Sequence, residues 1–305
     1  MHRPSFANRS AAAEWPLIAR FKAIEARIGA AAARRRLTAG VYELVRFGIK
    51  QAWACLFGGA MVALLIATHL AWPPASVLAR SDFLFLAALA IQAGMLASKL
   101  ETIDEAKVIL VYHVIGTVME VFKTDVGSWT YVGPALFRIG GVPLFSGFMY
   151  ASIGSYIARS WRLFEFRFTG HPPLRRLALL AAAIYANFYA HHYIPDARIA
   201  LFGATAFLFR RTFVHYRIWR THRRMPLLLG FFLVALFIWI AENIGTATAT
   251  WIYPHQQRAW SLVRLGKLGS WFLLLIVSFT LVDALHRRTI TPDCAQAPSR
   301  ARRSR

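Results

Sequence analysis

Long apolar runs constrain the fold of this sequence more than any other feature. Eight of them can cross the roughly 30 Å of hydrocarbon in a bilayer, or most of it when flanking aromatic residues are counted. Unpaired backbone amides cannot face lipid, and the runs are continuously apolar rather than alternating, so they are predicted to be α-helices. The sequence therefore predicts an all-α, polytopic transmembrane helix bundle of about eight spans. The predicted spans cover residues 51–72, 82–98, 106–123, 141–158, 175–194, 197–212, 225–247 and 268–285.

The distribution of basic residues predicts the orientation in the membrane. The 305-residue chain is 57% hydrophobic, yet it has a formal net charge of +22. Nucleic-acid binding would need these charges on one soluble face, but they fall between the apolar runs, so we predict no nucleic-acid partner. If all eight spans cross and the N-terminus is cytoplasmic, 29 of the 36 Lys and Arg residues lie in the cytoplasm. The positive-inside rule thus predicts cytoplasmic termini, with basic residues against anionic membrane lipids.

The segments on either side of the spans differ from them in composition. Residues 1–50 are predicted to be a cytoplasmic N-terminal segment containing an amphipathic helix along the membrane interface, which starts near Pro16. Residues 51–285 form the predicted transmembrane domain. Residues 286–305 are predicted to be a disordered basic cytoplasmic tail. The apolar stripe of the interfacial helix consists of Leu17, Ile18, Phe21, Ile24 and Ile28.

Two stretches of the sequence resemble each other. EVFKTDVGSWTYVGP starts at Glu120 and ENIGTATATWIYPHQ starts at Glu242. Aligned without a gap, they share Glu, Thr at +4, Ser or Thr at +8, Trp at +9 and Tyr at +11. Coincidence is the alternative, because Trp and Tyr are common at membrane interfaces. The shared spacing favours a parallel duplication of a four-helix unit, with halves at 51–158 and 175–285.

Ionisable side chains within the spans are the candidate functional groups. Each costs about 2.5–3.5 kcal/mol on insertion scales, so it should face the bundle interior and have a partner. We predict Glu120 and Glu242 as proton donors, with His113 and His191 as bases. The structural alternative is a set of fixed ion pairs that hold the helices in register. The predicted substrate-binding residues are Lys123, Trp129, Tyr131, Asn187, His192, Asp196, Asn243, Trp251 and Tyr253.

The stretch NFYAHHYIPDAR, residues 187–198, contains several of these residues and has two interpretations. It could line a pocket below the outer surface, or it could only terminate a helix beside water. Its histidines, an aspartate and nearby glutamates would be an admissible metal-ligand set. Adjacent helical residues point about 100° apart, however, so His191 and His192 are not expected to share an ion. Two cysteines, Cys55 and Cys294, cannot form a thiolate zinc site. We therefore predict no metal and no cofactor.

The sequence resembles one known family over most of its length. The motifs KLETIDEAKVILVYHVIGTVMEVFKTDVGSW, RIGGVPLFSGFMYASIGSYIARSWRLFEFRF and NFYAHHYIPDAR are similar to the YoaT-like bacterial integral membrane family, domain of unknown function 817. This resemblance covers about residues 40–290 and implies a polytopic protein of the bacterial cytoplasmic (inner) membrane, with no established activity. The segment from Glu120 to Tyr131 also resembles membrane carotenoid hydratases and heterodimeric lycopene cyclases, which would imply cofactor-free protonation of a polyprenyl double bond.

These observations predict an outward-facing polar pocket between spans three, five and seven. Our leading hypothesis is a membrane enzyme that acts on a lipid or isoprenoid by acid and base catalysis, with Trp129 and Trp251 walling in the apolar substrate. The alternative is a transporter or binding protein that uses the same pocket for a small molecule. A structural or partner-binding role is a third possibility, because no sequence motif has the specificity of a known catalytic motif.

Overall fold

The computed structural model describes residues 27–289, except residues 34, 74 and 221. The predicted interfacial helix near Pro16 and most of the predicted basic tail lie outside the described residues. By its contacts the chain divides into two compact units, residues 1–50 and residues 51–305. In the first unit, residues 27–32 are helical and helix α1, Arg36–Ala54, begins.

The second unit consists mainly of helices, and each predicted apolar run contains one of them. Among the described residues, three segments are long and apolar enough to cross a membrane, namely α3, α8 and Gly266–Ala284 of α9. Helices α1 and α2, which are separated by a break at Cys55, add a fourth if they count as one span. The count of eight crossings stays a prediction. The helices are α2 (Leu56–Ala71), α3 (Arg80–Ala97), α4 (Ile103–Asp125), α5 (Phe145–Leu163), α6 (Leu174–Ala190), α7 (Arg198–Phe209), α8 (Leu227–Ala247) and α9 (Gly266–Thr289).

Helix α8 shows why this bundle belongs in a membrane. From Leu227 to Ala241 it is apolar on all sides, although only one side is packed inside the protein. Phe231 is 5% exposed and contributes to the core, whereas Phe237 is 70% exposed and Leu229 is 46% exposed. A helix with apolar side chains on both its packed and its open face is stable only where the surrounding solvent is lipid. The chain is therefore a mostly helical, multi-pass membrane protein.

The connections between helices contain short strands, so the chain is mostly rather than entirely helical. The long apolar runs carry no signal for these strands, which are two to five residues long. In the segment 213–217, for example, Val214 is buried and the other four residues are partly accessible. The strands form three antiparallel sheets: β1 (Thr130–Tyr131) with β7 (Trp251–Ile252), β2 (Arg138–Ile139) with β3 (Val142–Pro143), and β4 (Arg167–Thr169), β5 (Phe213–Arg217) and β6 (His222–Pro226) in that order.

Helix α4 begins at a capping box and buries its polar face. The Thr102 hydroxyl accepts from the backbone N–H of Glu105 at 3.2 Å, and the Glu105 carboxylate accepts from the N–H of Thr102 at 2.8 Å. These bonds satisfy two of the donors that a helix start leaves unpaired. The predicted interior face of this helix is confirmed, since Tyr112, Glu120 and Lys123 are each at most 5% exposed. That face packs mainly against α5.

A glycine allows this close packing of α4 against α5. A Cβ at Gly116 would lie 2.7 Å from the Tyr150 side chain, well inside van der Waals contact. Gly116→Ala is expected to lower the free energy of unfolding by about 1–3 kcal/mol, because the ring or the helices must shift. In contrast, no described atom beyond the local helix backbone lies within 4 Å of a Cβ at Gly94 in α3. Gly94→Ala is therefore expected to stabilise by roughly 0.5–1 kcal/mol.

Unfolding of both variants in detergent micelles measures this difference. Similar changes in the two variants would contradict the close approach of the helices at Gly116.

Candidate functional site

The Glu120 carboxylate is buried near the end of α4 and accepts three hydrogen bonds from aromatic side chains. One oxygen accepts from Trp129 Nε1 at 2.7 Å and from the Tyr131 hydroxyl at 2.6 Å. The other oxygen accepts from the Tyr150 hydroxyl at 2.6 Å. Only 4% of Glu120 is exposed. All three partners are neutral donors, and together they fix the carboxylate in place.

The Glu242 carboxylate is held in a similar way near the end of α8. It is 5% exposed. Its two oxygens accept from the Tyr253 hydroxyl and from Trp271 Nε1. Tyr253 follows Glu242 by eleven residues, as Tyr131 follows Glu120.

One partner of each carboxylate comes from the next long helix. Tyr150 is the sixth residue of α5, and Trp271 is the sixth residue of α9. Their rings contact each other, with centroids 5.8 Å apart. Both carboxylates therefore face aromatic donors at corresponding positions of the helices that follow them.

Strands β1 and β7 join the two glutamate segments. They pair antiparallel, and Thr130 lies opposite Ile252. A Trp–Tyr pair flanks this central pair on each side, so exchanging the two strands leaves the pattern of aromatic pairs unchanged. The flanking pairs are Tyr131 with Trp251, at 6.4 Å between ring centroids, and Trp129 with Tyr253, at 5.9 Å.

The ammonium of Lys267 lies over two of the aromatic rings that donate to the carboxylates. Lys267 Nζ is 4.3 Å from the ring centroid of Trp129 and 4.6 Å from that of Tyr253. These two rings donate to Glu120 and Glu242 respectively. The positive charge interacts favourably with both carboxylates and with the ring faces. We call Glu120, Glu242 and Lys267 the carboxylate–lysine cluster; it contains two acids and one counter-cation.

The two phenols on the connecting strands remain protonated. Burial raises the pKa of Tyr131 well above its ordinary value, and the charge of Glu120 raises it further. Burial and the charge of Glu242 raise the pKa of Tyr253 in the same direction. Both hydroxyls therefore serve as hydrogen-bond donors to the carboxylates.

The two adjacent histidines converge on a lysine. Lys123 Nζ lies 2.7 Å from His192 Nε2 and 3.4 Å from His191 Nε2. The divergence expected for adjacent residues inside a regular helix does not apply here, because α6 ends at Ala190 and the histidines lie beyond its regular part. The Nδ1 of His191 is 2.8 Å from the carbonyl oxygen of Asn187 and donates to it, which leaves Nε2 as an acceptor for the lysine in the neutral tautomer.

Burial and the nearby lysine both lower the pKa of the second histidine. Partial loss of hydration lowers the pKa of His192 below its ordinary value, and the positive charge of Lys123 lowers it further. A neutral His192 can accept from the ammonium. Among the described residues, no group of three or more His, Cys, Asp or Glu side chains could hold a metal ion.

Asn187 and Asp196 make local bonds at the end of α6. Asn187 Nδ2 donates to Asp196 at 3.2 Å, and Asn187 Oδ1 accepts from the N–H of Ala197 at 3.0 Å. Asp196 forms an ion pair with Arg198. Partial burial raises the pKa of Asp196, but hydrogen bonds from Asn187 and Arg198 outweigh this and lower it below its ordinary value. The contacts of Asn187 and Asp196 therefore agree with the interpretation that this part of NFYAHHYIPDAR terminates a helix.

Two other predicted residues have hydrogen-bond and ring contacts of their own. His113 is two turns before Glu120 on α4 and packs on Phe148, with ring centroids 4.4 Å apart. Its buried Nδ1 has no hydrogen-bond partner among the described residues. Asn243 accepts from the N–H of Val263 at 2.9 Å and donates to the carbonyl of Trp239 at 2.8 Å. It thereby ties the connection before α9 to α8.

The structure thus brings together a different set of spans from the one predicted. The carboxylate–lysine cluster combines α4 and α8 with α5 and α9, whereas α6 supplies only the histidines beside Lys123. Tyr150, Trp271 and Lys267 were not among the predicted site residues. An available signal was the repeat itself, since Tyr150 and Trp271 occupy the same position in the helices that follow each glutamate.

A second polar cluster lies at the opposite end of α4 and α5. Glu101 accepts from Gln92 Nε2 at 2.5 Å and from the Ser155 hydroxyl at 2.6 Å. Arg159 is fully buried, and within the described part of the chain its guanidinium has no hydrogen-bond partner. Glu101 and Glu105 place negative charge near it. This cluster was not predicted, because its members lie at the ends of apolar runs, where charged residues are common.

The fold and the two buried carboxylates define a mostly helical, multi-pass membrane protein with an internal acidic cluster. The sequence matches the family described as "Protein of unknown function (DUF817)" over residues 43–279. The chain belongs to this family, as its motifs indicated.

Individual relatives extend this result. The chain is 44% identical over 245 residues to a protein of Bacillus subtilis (strain 168) named "Uncharacterized protein YoaT", which covers 80% of this chain and 92% of that protein. It is also similar to the crystal structure of a mycobacterial Insig homolog, MvINS, from Mycobacterium vanbaalenii, with a TM-score of 0.47 and 11% identity. That similarity covers 63% of this chain and 98% of MvINS.

Proposed function

We propose that the protein is a membrane-embedded enzyme that moves a proton to and from an apolar lipid or isoprenoid substrate. One observation carries the proposal: two buried carboxylates interact electrostatically with one ammonium, Lys267, which lies over aromatic rings that donate to these carboxylates. Each carboxylate is fixed by hydrogen bonds, which is the preorganisation that proton transfer at a defined atom requires.

The charge balance of the cluster supports an exchangeable proton. Glu120 and Glu242 together carry two negative charges when ionised, and Lys267 carries one positive charge. The remaining negative charge is costly away from water, so a bound proton or another cation stabilises the site. Two interacting carboxylates that share one proton are a common arrangement for an acid and a base in one active site.

The aromatic rings suit a reaction that passes through positive charge. When a carboxylic acid protonates a carbon–carbon double bond, a C–H bond forms, the π bond breaks, and the neighbouring carbon becomes positive. Ring faces stabilise such a charge, as the position of Lys267 over Trp129 and Tyr253 demonstrates for an ammonium. Loss of a proton from an adjacent carbon to the second carboxylate restores a double bond at a new position. This sequence balances atoms and electrons without a cofactor.

The roles differ in part from those suggested by the sequence. Glu120 and Glu242 act as the acid and the base, and the second carboxylate replaces His113 and His191 as the proton acceptor. The resemblance of residues 120–131 to carotenoid hydratases and lycopene cyclases supports an isoprenoid substrate, because it implies the same cofactor-free protonation.

Lipid analysis of a deletion strain tests the enzyme hypothesis. The strain is complemented with the natural protein, with Glu120→Gln, with Glu242→Gln, or with Asp104→Asn as a control in an exposed ion pair. We expect one lipid species to accumulate in the deletion strain and in both Gln strains, and to disappear with the natural protein and with Asp104→Asn. Purified protein incubated with that lipid in D₂O should give a product one mass unit heavier. Identical lipid profiles in all strains would refute the enzyme hypothesis.

A second candidate function is the transport or binding of a small molecule, which the symmetric register of β1 and β7 favours. We propose that residues 51–158 and 175–285 are duplicated four-helix halves of an eight-span bundle in the bacterial cytoplasmic membrane, with both termini cytoplasmic. The shared spacing after each glutamate and the uneven distribution of basic residues support this arrangement. Binding sites of transporters built from repeats usually lie between the repeats.

Cysteine labelling discriminates between the two functions. In a background without the native cysteines, single cysteines replace His113, Glu120 or Glu242, and membrane-impermeant label is applied from each side. Labelling of these positions from both sides would favour transport, and labelling from one side only would favour the enzyme.

A further inference from the structure

The three-stranded sheet β4–β5–β6 has two different faces. On one face, Phe168, Val214 and Met225 lie side by side across the strands and pack on the core of the bundle. Val214 is 1% exposed. Because side chains alternate along a strand, the neighbours of these residues point away from the core.

The outward face is basic. Register places Arg167, His215 and Arg224 in one row across the three strands, with adjacent strands about 4.8 Å apart. The next row on the same face consists of Arg217 and His222. Arg167, His222 and Arg224 are exposed. We call these five residues the basic face.

Contacts within the sheet orient several of these side chains. The Arg224 guanidinium lies 4.2 Å from the ring centroid of Phe213. His215 Nε2 is 3.1 Å from the Thr169 hydroxyl. An ion pair with Glu165 balances Arg217, but the sequence from 197 to 226 contains no acidic residue. The basic face therefore keeps an excess of positive charge. The contacts of Arg224 and His215 also restrict the conformations of these two side chains.

The position of the sheet relative to the helix ends indicates its depth in the membrane. Strand β6 ends at Pro226, and the candidate span α8 begins at the next residue, Leu227. Strand β4 begins at Arg167, four residues after α5 ends at Leu163, and α6 begins at Leu174. With connections this short, the sheet lies at the ends of the helices, at the level of the lipid headgroups.

We propose that the basic face binds the phosphate groups of anionic phospholipids in the leaflet at this end of the bundle. Guanidinium groups form paired hydrogen bonds with phosphate oxygens. The row Arg167–His215–Arg224 has one guanidinium group on each side of an imidazole. In the predicted orientation this leaflet is the cytoplasmic one. The site is separate from the carboxylate–lysine cluster, which lies at the opposite ends of α5 and α8.

Binding of phosphatidylglycerol to the purified full chain in detergent, measured by native mass spectrometry, tests the proposal. The double variant Arg167→Gln/Arg224→Gln is expected to lose at least about tenfold in affinity, given typical contributions of basic residues near anionic lipid. The control is Arg258→Gln/Arg264→Gln, which removes the same charge from exposed positions at the other end of the bundle. We expect it to bind as tightly as the natural protein.

Three further measurements make the result decisive. Phosphatidylcholine should bind both double variants and the natural protein equally weakly. Glycerol phosphate at the same concentration should not displace phosphatidylglycerol, and displacement would show a site for a free anion instead. Both double variants should melt at the same temperature as the natural protein in detergent without added lipid. Equal losses of phosphatidylglycerol affinity in the two double variants, or no loss in either, would overturn the proposal.

Discussion

Glu120→Gln is expected to lower the free energy of unfolding by about 2–3 kcal/mol, because the amide cannot accept all three hydrogen bonds that the carboxylate accepts. Its NH₂ group would face one of three buried donors, on Trp129, Tyr131 or Tyr150. The lost charge also weakens the remaining bonds, since bonds to an ionised acceptor are stronger. SDS-titrated unfolding in mixed micelles measures the effect.

A second substitution identifies the cause of that loss. In the natural protein Tyr150→Phe removes a bonded donor, whereas in Glu120→Gln it removes a donor that has lost its ionised acceptor. The Tyr150→Phe cost should therefore fall by about 1 kcal/mol or more in the Glu120→Gln background. Tyr193 is 75% exposed, and Tyr193→Phe should add to Glu120→Gln without coupling. Additive behaviour of Tyr150→Phe would contradict the hydrogen bond between the two side chains.

Lys267→Met is expected to destabilise the protein by about 2–3 kcal/mol, because removing one partner leaves buried carboxylates without their counter-charge. The apolar stem is retained, so packing changes little. The control is Lys107→Met, which removes a lysine from the ion pair with Asp104, where the side chains are 70% and 75% exposed. That change should cost no more than about 0.5 kcal/mol, as is usual for surface pairs. Equal costs at the two positions would show that Lys267 does not neutralise the glutamates.

Much of the helical framework follows from the sequence, because a bilayer permits few alternatives for a long apolar run. Each predicted run contains a helix, and α8 occupies residues 227–247 of the predicted 225–247. The sheet β4–β5–β6 was not predicted, since strands of three to five residues between spans carry a weak periodic signal. Their pairing depends on contacts between connections that are distant in sequence.

The glutamates were predictable, but their complete surroundings were not. The cost of a charge in a span identified Glu120 and Glu242, and local spacing identified Trp129 and Tyr253. Lys267, by contrast, looks like an interfacial anchor in the sequence. Its position over the two rings depends on how α9 enters the bundle after a connection that differs in length from its counterpart before α5.

The histidine pair shows a limit of periodicity arguments. The angle of about 100° between adjacent side chains holds only inside a regular helix. His191 is the residue that caps α6, and the chain turns directly after it. Both histidine rings can therefore reach Lys123, and the centroids of the His191 and His192 rings are 4.2 Å apart. Pro195 signalled the end of the helix in the sequence, but not the direction of the turn.

The unfolding free energies of Glu120→Gln, Glu242→Gln and the double variant test most directly whether the two acids share one cation. In either single variant, the remaining carboxylate keeps Lys267 and is relieved of repulsion from its neighbour, whereas the double variant leaves Lys267 with neither acid. The double variant should therefore lose at least about 1 kcal/mol more than the sum of the single losses. Additivity within about 0.3 kcal/mol would place the carboxylates in separate environments and contradict the account.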